Sequence, residues 1–331
     1  MPDSLHGRPV LVTGAGGFIG SHLTDHLVRA GARVRALVHY NGRNDWAHLE
    51  KLEPAVRHAL DVVSGDICDP FFVQRIVDGC DVVFHLAALI PIPYSYVAPA
   101  VYVSTNVTGT LNVLEAARHH GTPRVLHTST SETYGTAVYT PIDEKHPLQG
   151  QSPYSATKIG ADKLAESYYR SFGTPVTTIR PFNTYGPRQS ARAFLPTVLT
   201  QALTRDVIKV GSLDPVRDMN YVADTAEGFA RAATAPGIEG LTINLGSGRG
   251  VTMGELLQIA LKAVGREVRV EAEEARVRPE KSEVMELIAD ARVARETLGW
   301  QSRVTLEDGV ARTAASIRDY LAEYKPEMYV I

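Results

Sequence analysis

The glycine-rich segment VLVTGAGGFIG, at residues 10–20, limits the fold of this chain more than any other feature. An apolar run typical of a buried strand leads directly into Gly14, Gly17 and Gly20, and an amphipathic helical pattern follows. Glycines in this context allow a tight turn, a close approach of backbone N–H groups to a pyrophosphate, and close packing of helix on strand. The helix N-terminus adds partial positive charge. The segment therefore predicts a dinucleotide-binding loop.

The periodicity of apolar residues extends this prediction to the first half of the chain. Short β-branched runs alternate with longer amphipathic stretches, which is typical of a parallel sheet covered by crossover helices. The sequence predicts strands at 9–13, 33–38, 58–65, 81–86, 125–130 and 176–180, and helices at 19–30, 71–78, 101–119 and 154–172. The predicted fold class is α/β with a doubly wound parallel sheet.

The same pattern divides the chain into a dinucleotide-binding domain, residues 1–182, and a second, smaller lobe. Beyond residue 182 proline and glycine become denser and the predicted elements become shorter and less regular. We expect residues 183–213 and 248–331 to form the lobe and residues 214–247 to return to the sheet. The lobe is therefore interleaved with the first domain.

Composition excludes several classes of protein. With 44% hydrophobic and 21% charged residues among 331, the chain is an ordinary globular protein, and a net charge of -3 predicts no attraction to nucleic acid. Its apolar runs are shorter than the roughly 20 residues that span a bilayer, so we expect a cytoplasmic protein without membrane contact. The spacing of Cys68 and Cys80 fits neither a zinc site nor a disulfide framework, and no metal site is predicted.

Tyr154 and Lys158 stand four residues apart at the start of a predicted helix, so both side chains lie on one face. A free tyrosine has a pKa of about 10, which is too high for a general base at neutral pH. A neighbouring ammonium favours the phenolate and lowers that pKa. Following a dinucleotide loop, the pair predicts proton transfer beside a nicotinamide.

The end of the second predicted strand leaves the choice of cofactor open. A carboxylate is expected there to bind a ribose 2′-hydroxyl, but the sequence reads Val38, His39, Tyr40 and Asn41. Arg43 follows closely and could bind a 2′-phosphate. The cofactor is predicted to be NAD, with NADP not excluded.

These segments together resemble the extended short-chain dehydrogenases/reductases, the nucleotide-sugar epimerases and dehydratases built on a Rossmann sheet. The resemblance covers nearly the whole chain. The residues that carry it are TGAGGFIG, Asp66–Ile67, HLAA at 85–88, Tyr154 with Lys158, RPFNTYGPRQ at 180–189, RDMNYVADT at 217–225 and Arg278–Pro279. Such enzymes are homodimers, which implies a homodimer here, through the helices at 101–119 and 154–172.

The resemblance also implies which residues bind the two ligands. The cofactor residues that it implies are Gly14, Gly17, Phe18, Ile19, Gly20, His39, Asn41, Asp66, Ile67, Leu86, Ala87, Ala88, Asn106, Tyr154 and Lys158. The substrate residues are Thr130, Glu132, Asn183, Arg192, Arg217 and Arg278. Arginine suits this task because its planar fork matches diphosphate oxygens.

The loop after the fifth predicted strand, Thr130-Ser131-Glu132, distinguishes members of this family. A glutamate beside the cofactor indicates a base rather than a packing residue. The triplet resembles that of sugar 4,6-dehydratases and of UDP-glucuronate decarboxylases, and the surrounding sequence is most similar to dehydratases of nucleotide-linked N-acetylglucosamine. A 4-epimerase and a cofactor-binding regulator also stay open. Ser131 replaces the aspartate that many family dehydratases use as the acid for water loss.

Overall fold

The computed structural model describes residues 5–273 and 283–325. Its strands are β1 Pro9–Thr13, β2 Arg33–His39, β3 Asp61–Gly65, β4 Val82–His85, β5 Arg124–Thr128, β6 Val176–Pro181, β7 Asn183–Tyr185, β8 Val207–Val210, β9 Val216–Tyr221, β10 Thr242–Leu245, β11 Gly250–Thr252, β12 Arg269–Ala272 and β13 Glu286–Leu287. Its α-helices are α1 Phe18–Arg29, α2 Pro54–His58, α3 Pro70–Val77, α4 Ile92–Val97, α5 Pro99–Tyr102, α6 Gly109–His120, α7 Pro153–Phe172, α8 Phe194–Thr204, α9 Val222–Ala232, α10 Met253–Val264, α11 Arg292–Leu298 and α12 Leu306–Asp319.

Seven parallel strands form the main sheet in the order β10-β6-β5-β4-β1-β2-β3. Alternate residues of each strand point to opposite faces, so Val10 and Val12 pack on one side and Leu11 on the other. Helices α1 and α9 cover the first face, and α3, α6 and α7 cover the second. The doubly wound α/β prediction is confirmed.

The carboxyl ends of β1, β4 and β5 lie side by side in the middle of this sheet. The glycine-rich loop follows β1, the HLAA segment continues β4, and the Thr130-Ser131-Glu132 loop follows β5. In open parallel sheets, ligands bind in the crevice at this edge. The topology therefore brings the three segments singled out in the sequence to one place.

The second lobe has its own apolar core, built mainly by α8, α10 and α12 with Ile208 and Val210 of β8; β12 pairs with β8 and is exposed. A small sheet, in which β9 pairs with β7, β11 and β13, connects the lobe to the main sheet. None of the helices that the structure describes is long and apolar enough to span a lipid bilayer.

Two predicted boundaries of the lobe were wrong. Strand β9, inside the segment 214–247 that was expected to rejoin the main sheet, belongs to the small sheet; its buried Arg217, Asp218 and Asn220 need polar partners that a doubly covered sheet lacks. The return begins at α9 and continues with β10, which pairs with β6 as expected. Helix α11, which was assigned to the lobe, packs instead on the main sheet, where Trp300 Nε1 donates to the Asp224 carbonyl at 2.8 Å.

Two predicted elements also differ in detail. The strand expected from residue 58 begins at Asp61, because residues 54–58 form the short helix α2. The helix predicted at 101–119 is divided, since a π-helical turn at Val103–Thr108 separates α5 from α6. π-Helical turns are rare and occur frequently at functional sites.

Candidate active site

The glycine loop has the geometry that a pyrophosphate requires. Gly14 has a positive φ of 71°, and a Cβ at this position would lie 2.8 Å from the backbone nitrogen of Ala87. A Cβ at Gly20 would overlap the carbonyl oxygen of Gly14. Gly17 precedes Phe18, the first residue of α1, with no side-chain cap and no acidic residue in the first helical turn. The first N–H groups of the helix are thus available to an anion, so these residues fit a dinucleotide.

Gly14→Ala is expected to destabilise the protein and to remove bound dinucleotide from the purified enzyme. Gly79→Ala is the matched control, because Gly79 has a similar φ of 73° but no described atom within 4 Å of the methyl group that the substitution adds. The backbone conformation alone costs about 1–2 kcal/mol in either variant. Thermal unfolding and the absorbance of released cofactor measure the two effects. Equal losses of stability and of bound cofactor in both variants would contradict the close approach of Gly14 to the Ala87 backbone.

The segment after β2 holds its shape through Asn41. The Asn41 Nδ2 donates to the Asp45 carbonyl at 2.8 Å, and its Oδ1 accepts from the backbone nitrogens of Arg43 and Asp45, both at 3.1 Å. The predicted cofactor residue Asn41 is therefore occupied by its own loop. His39 and Arg43 are exposed at the carboxyl end of β2.

Two other predicted cofactor segments lie at the same edge of the sheet. After β3, Asp66 accepts from the backbone nitrogen of Cys68 at 2.8 Å, and Ile67 is buried against α6. After β4, the backbone nitrogens of Leu86 and Ala87 both donate to Thr13 Oγ1 at 3.1 Å, and Ala88 follows. These bonds fix the HLAA segment against the glycine loop.

Asn106, also among the predicted cofactor residues, forms its hydrogen bonds within the protein. It lies in the π-helical turn, buried, where its Oδ1 accepts from the Leu89 backbone nitrogen at 2.8 Å. Its Nδ2 donates to the Leu89 carbonyl at 2.9 Å and to Thr157 Oγ1 at 3.0 Å. Both amide hydrogens are thus used, and the side chain fastens the segment after HLAA to α7.

Helix α7 presents the predicted catalytic pair. Ser152 caps the helix through a capping box with Ser155, which fixes the first turn where Tyr154 stands. Lys158 Nζ donates to the Thr128 carbonyl at 2.7 Å. Burial lowers the pKa of the Lys158 ammonium to about 8, while the Asp162 carboxylate acts in the opposite direction.

The phenol of Tyr154 is buried, and burial raises its pKa above the ordinary value. A hydrogen bond with the Thr130 side chain opposes this shift, and the negative charge of Glu132 adds to it. The lowering of the pKa that the sequence predicted is therefore not seen in the protein alone. Both Thr130 and Glu132 are nonetheless within electrostatic reach of the phenol.

The loop after β5 turns as a short 3-10 helix, Ser131–Tyr134. Thr130 precedes it as the cap, with its Oγ1 accepting from the Glu132 backbone nitrogen at 3.3 Å and its carbonyl accepting from Thr133 Oγ1 at 2.7 Å. Ser131 is buried, whereas Glu132 is half-buried. The turn thus holds the Glu132 carboxylate within electrostatic reach of the Tyr154 phenol.

An aromatic wall, which we define as Tyr94, Tyr102 and Tyr154, leads away from the catalytic site. The ring centroids of Tyr94 and Tyr102 are 6.1 Å apart, and those of Tyr102 and Tyr154 are 6.3 Å apart. Tyr102 donates to the Pro91 carbonyl at 2.5 Å, which anchors α4. Burial raises the pKa of Tyr102 to about 12, and the nearby charge of Arg192 opposes that rise. Exposed Arg192 therefore lies near the wall.

The predicted substrate residues of the second lobe have different surroundings. Asn183 Oδ1 is buried and has no hydrogen-bond partner among residues 5–273 and 283–325. Arg217 is buried and forms an ion pair with Glu283 at 3.1 Å, so its guanidinium is already engaged. Arg278 lies outside the described residues. Arg188 contacts α1, where its Nη2 lies 2.9 Å from His22 Nδ1.

Sequence reasoning missed one group of buried polar residues next to the catalytic pair. Asp162 accepts hydrogen bonds from His127, Ser129 and Arg180, and Arg180 also stacks on Tyr134. The available signal was the spacing, since Asp162 follows Lys158 by four residues on the same face of α7.

Comparisons with known proteins agree with this geometry. The model of the family described as GDP-mannose 4,6 dehydratase matches residues 11–313. A dTDP-glucose 4,6-dehydratase of Actinoplanes sp. is 34% identical over 315 residues, which cover 93% of this chain and 97% of that protein.

Two solved structures are also similar. DesIV, a dTDP-glucose 4,6-dehydratase from Streptomyces venezuelae solved with NAD, superposes with a TM-score of 0.85 at 30% identity over 97% of this chain and 100% of the other. TunA, an NAD-dependent NDP-hexosamine 5,6-dehydratase, superposes with a TM-score of 0.82 at 27% identity, over 94% of this chain and 98% of the TunA chain. The chain therefore belongs to the GDP-mannose 4,6-dehydratase family of extended short-chain dehydrogenases/reductases, the NAD-dependent nucleotide-sugar dehydratases and epimerases.

Proposed function

We propose that this protein is an NAD-dependent 4,6-dehydratase that converts a nucleotide-linked N-acetylglucosamine to its 4-keto-6-deoxy product. The observation that carries the proposal is the Glu132 carboxylate on the turn after β5, close enough to Tyr154 to raise the pKa of the phenol. A 4-epimerase needs no such base. A dehydratase needs one to remove the proton from C5.

Each residue of the site has a task in this reaction. The glycine loop would hold NAD, which would supply the hydride acceptor for oxidation at C4 and the hydride donor for reduction at C6. Tyr154 accepts the proton of the C4 hydroxyl, and Thr130, already hydrogen-bonded to the phenol, stabilises the same oxygen. Lys158 supplies a positive charge that favours the phenolate. Glu132 removes the C5 proton, which the 4-keto group has made acidic.

Ser131 affects the choice of the acid that protonates the departing C6 hydroxyl. Serine is a much weaker acid than the aspartate found at this position in many family dehydratases. Glu132 therefore transfers the C5 proton to the departing C6 hydroxyl, which leaves as water. The proton that Tyr154 took from the C4 hydroxyl then replaces the one lost from C5. One carboxylate thus serves as base and then as acid.

The amino-sugar substrate rests on the resemblance of residues 130–193 to N-acetylglucosamine dehydratases, and TunA is described as an NDP-hexosamine dehydratase. A neutral acetamido group also suits Tyr94, the exposed member of the aromatic wall, because a tyrosine ring offers apolar contact together with a polar edge. We propose that Asn183, Arg192, Arg217 and Arg278 bind the nucleotide-sugar and that the glycine loop binds NAD.

UDP-glucuronate decarboxylation is the second candidate. It needs a positive group facing the C6 carboxylate, and Arg192 near Tyr102 is available for that task. Decarboxylation of the 4-keto intermediate needs no base at C5, so Glu132 would have no proton to remove in this reaction.

Mass spectrometry of the purified enzyme distinguishes these reactions. The protein is incubated without added cofactor with UDP-N-acetylglucosamine, GDP-N-acetylglucosamine, dTDP-glucose and UDP-glucuronate in turn. We expect the loss of one water from an N-acetylglucosamine substrate. Loss of water from dTDP-glucose alone would support the proposed dehydration but show that the proposed N-acetylglucosamine substrate is wrong. Loss of carbon dioxide from the glucuronate would establish the decarboxylase. Unchanged masses with isomerised sugar would indicate an epimerase.

We also propose that two copies associate through α6 and α7. Tyr169 and Phe172 at the end of α7, and Val101 and Val103 just before α6, are exposed apolar residues on this side of the molecule. Light scattering of the purified protein should give twice the mass of one chain. The cytoplasmic location stays a prediction from the sequence.

A further inference from the structure

Helix α7 carries three functional groups on one face, because Tyr154, Lys158 and Asp162 follow one another at intervals of four residues. The first two belong to the catalytic pair. Asp162 is only 6% exposed and has no task in the reaction as described. A carboxylate is rarely buried to this degree unless its charge is compensated.

Asp162 is held by three donors from the two neighbouring strands. Its Oδ1 accepts from His127 Nε2 at 3.0 Å, and its Oδ2 accepts from Ser129 Oγ at 2.6 Å and from Arg180 Nη2 at 2.7 Å. His127 and Ser129 flank Thr128, the residue whose carbonyl accepts from Lys158 Nζ. The carboxylate therefore fastens α7 to the same short stretch of β5 that receives the catalytic lysine.

The charges of this cluster are well defined. Burial alone would raise the pKa of the Asp162 carboxyl, but Arg180 and the hydrogen bonds from His127 and Ser129 hold it well below its usual range. Burial lowers the pKa of His127, so its ring is neutral and Nε2 carries the donated hydrogen. The cluster thus contains one carboxylate, Asp162, whose negative charge is paired with the positive charge of Arg180. Lys158, one helical turn earlier on α7, is also buried.

We propose that Asp162 is a positioning residue for the reaction: it fixes Lys158 beneath Tyr154 and keeps the lysine ammonium protonated in a site closed to water. The proposal rests on the catalytic roles of Tyr154 and Lys158 given above. The titratable and charged groups around Lys158 and Asp162 include Tyr154 on α7, His85 on β4, His127 on β5, Arg180 on β6, Glu132 and Tyr134 on the turn after β5, and Glu144 on the loop before α7. Asp162 itself is the group that raises the pKa of Lys158.

Asp162→Asn tests this role through the pH dependence of kcat/KM. Loss of the anion leaves Lys158 beside an unbalanced Arg180, so the lysine should lose its proton at lower pH. The alkaline limb of the profile should then move down by about one pH unit, the order expected when an opposite charge is removed. Asp162→Glu, which keeps the charge, should restore most of the wild-type limb.

Asp224→Asn is the matched control. Asp224, on α9, is also a buried carboxylate, 4% exposed. It accepts hydrogen bonds from the backbone nitrogens of Arg303 and Val304, both at 2.9 Å, and does not contact Lys158 through any described hydrogen bond. Its loss should lower stability without moving the alkaline limb. If both asparagine variants shift the limb equally, or neither does, the proposal is wrong.

A second measurement requires neither substrate nor cofactor. The pKa of Lys158 is about 8 in the folded chain and 10.5 when free, so unfolding takes up a proton between these pH values. The free energy of unfolding should therefore rise with pH through that window, and Lys158→Met should remove this rise. In an Asp162→Asn background the rise should begin at lower pH. An unchanged onset would overturn the proposal even if the substrate were misidentified.

Should Asp162→Asn not fold, Asp162→Asn combined with Arg180→Gln removes both charges together. Removing a whole buried pair is usually tolerated better than leaving one charge unpaired. In this double variant Lys158 still loses the carboxylate that raises its pKa, so a downward shift of the same onset supports the proposal. An onset at the wild-type pH would refute it.

Discussion

Tyr154→Phe is expected to abolish turnover, with a loss of about 10²–10⁴-fold or more in kcat, because the phenol is the group placed to accept the proton of the C4 hydroxyl. The change removes only one oxygen from a ring that packs against Tyr102 at 6.3 Å, so the aromatic wall should remain intact. The reaction should stop before hydride transfer. No reduced nicotinamide should therefore appear on mixing with substrate.

Tyr168→Phe is the control for this variant. Tyr168 lies on the same helix and donates its hydroxyl to Glu115, away from the catalytic loop. Its loss should leave kcat unchanged while removing one hydrogen bond. Appreciable turnover by Tyr154→Phe would show that another group removes the C4 proton, and the catalytic role of Tyr154 would have to be abandoned.

The first half of the fold was predictable because its signals are local. β1, which was predicted at its observed bounds, is an apolar run ended by glycine, and α7 begins at a serine cap followed by proline. The apolar run, its period and the cap residues all lie within the element itself, so they are sufficient to identify it. The glycine loop follows β1, and Lys158 of the predicted pair donates to Thr128 at the end of β5, so both lie at the carboxyl edge of the sheet.

What the sequence did not reveal depends on partners distant in the chain. β9 looked like a strand of the main sheet, but Asp218 accepts from the backbone nitrogens of Gly248 and Ala289, which only the fold brings together. The π-helical turn exists where Asn106 bonds to Leu89, seventeen residues earlier. Asp162 likewise is stabilised in its buried position by hydrogen-bond donors on β5 and β6, which are distant from it in the sequence. Tertiary hydrogen bonds of this kind leave no period in the sequence.

Glu132→Gln should separate the two halves of the reaction. Tyr154 and Lys158 are intact in this variant, so oxidation at C4 proceeds and reduced nicotinamide should accumulate on the enzyme. The neutral amide cannot remove the C5 proton, so water loss should fall by about 10²–10⁴-fold. Stopped-flow absorbance follows the cofactor, and exchange of the C5 hydrogen in deuterated water reports on proton removal.

Glu239→Gln provides the comparison for Glu132→Gln, because Glu239 is partly buried and pairs with Arg124 at the opposite end of β5, 2.7 Å away. Wild-type kinetics are expected for it. If Glu132→Gln also retained rapid water loss, the elimination would use another base, and the carboxylate that separates a dehydratase from an epimerase in this site would lose its significance. If instead oxidation itself stopped, Glu132 would act on C4 together with Tyr154. Accumulation of reduced cofactor without exchange at C5 is the one result that assigns Glu132 to the elimination step.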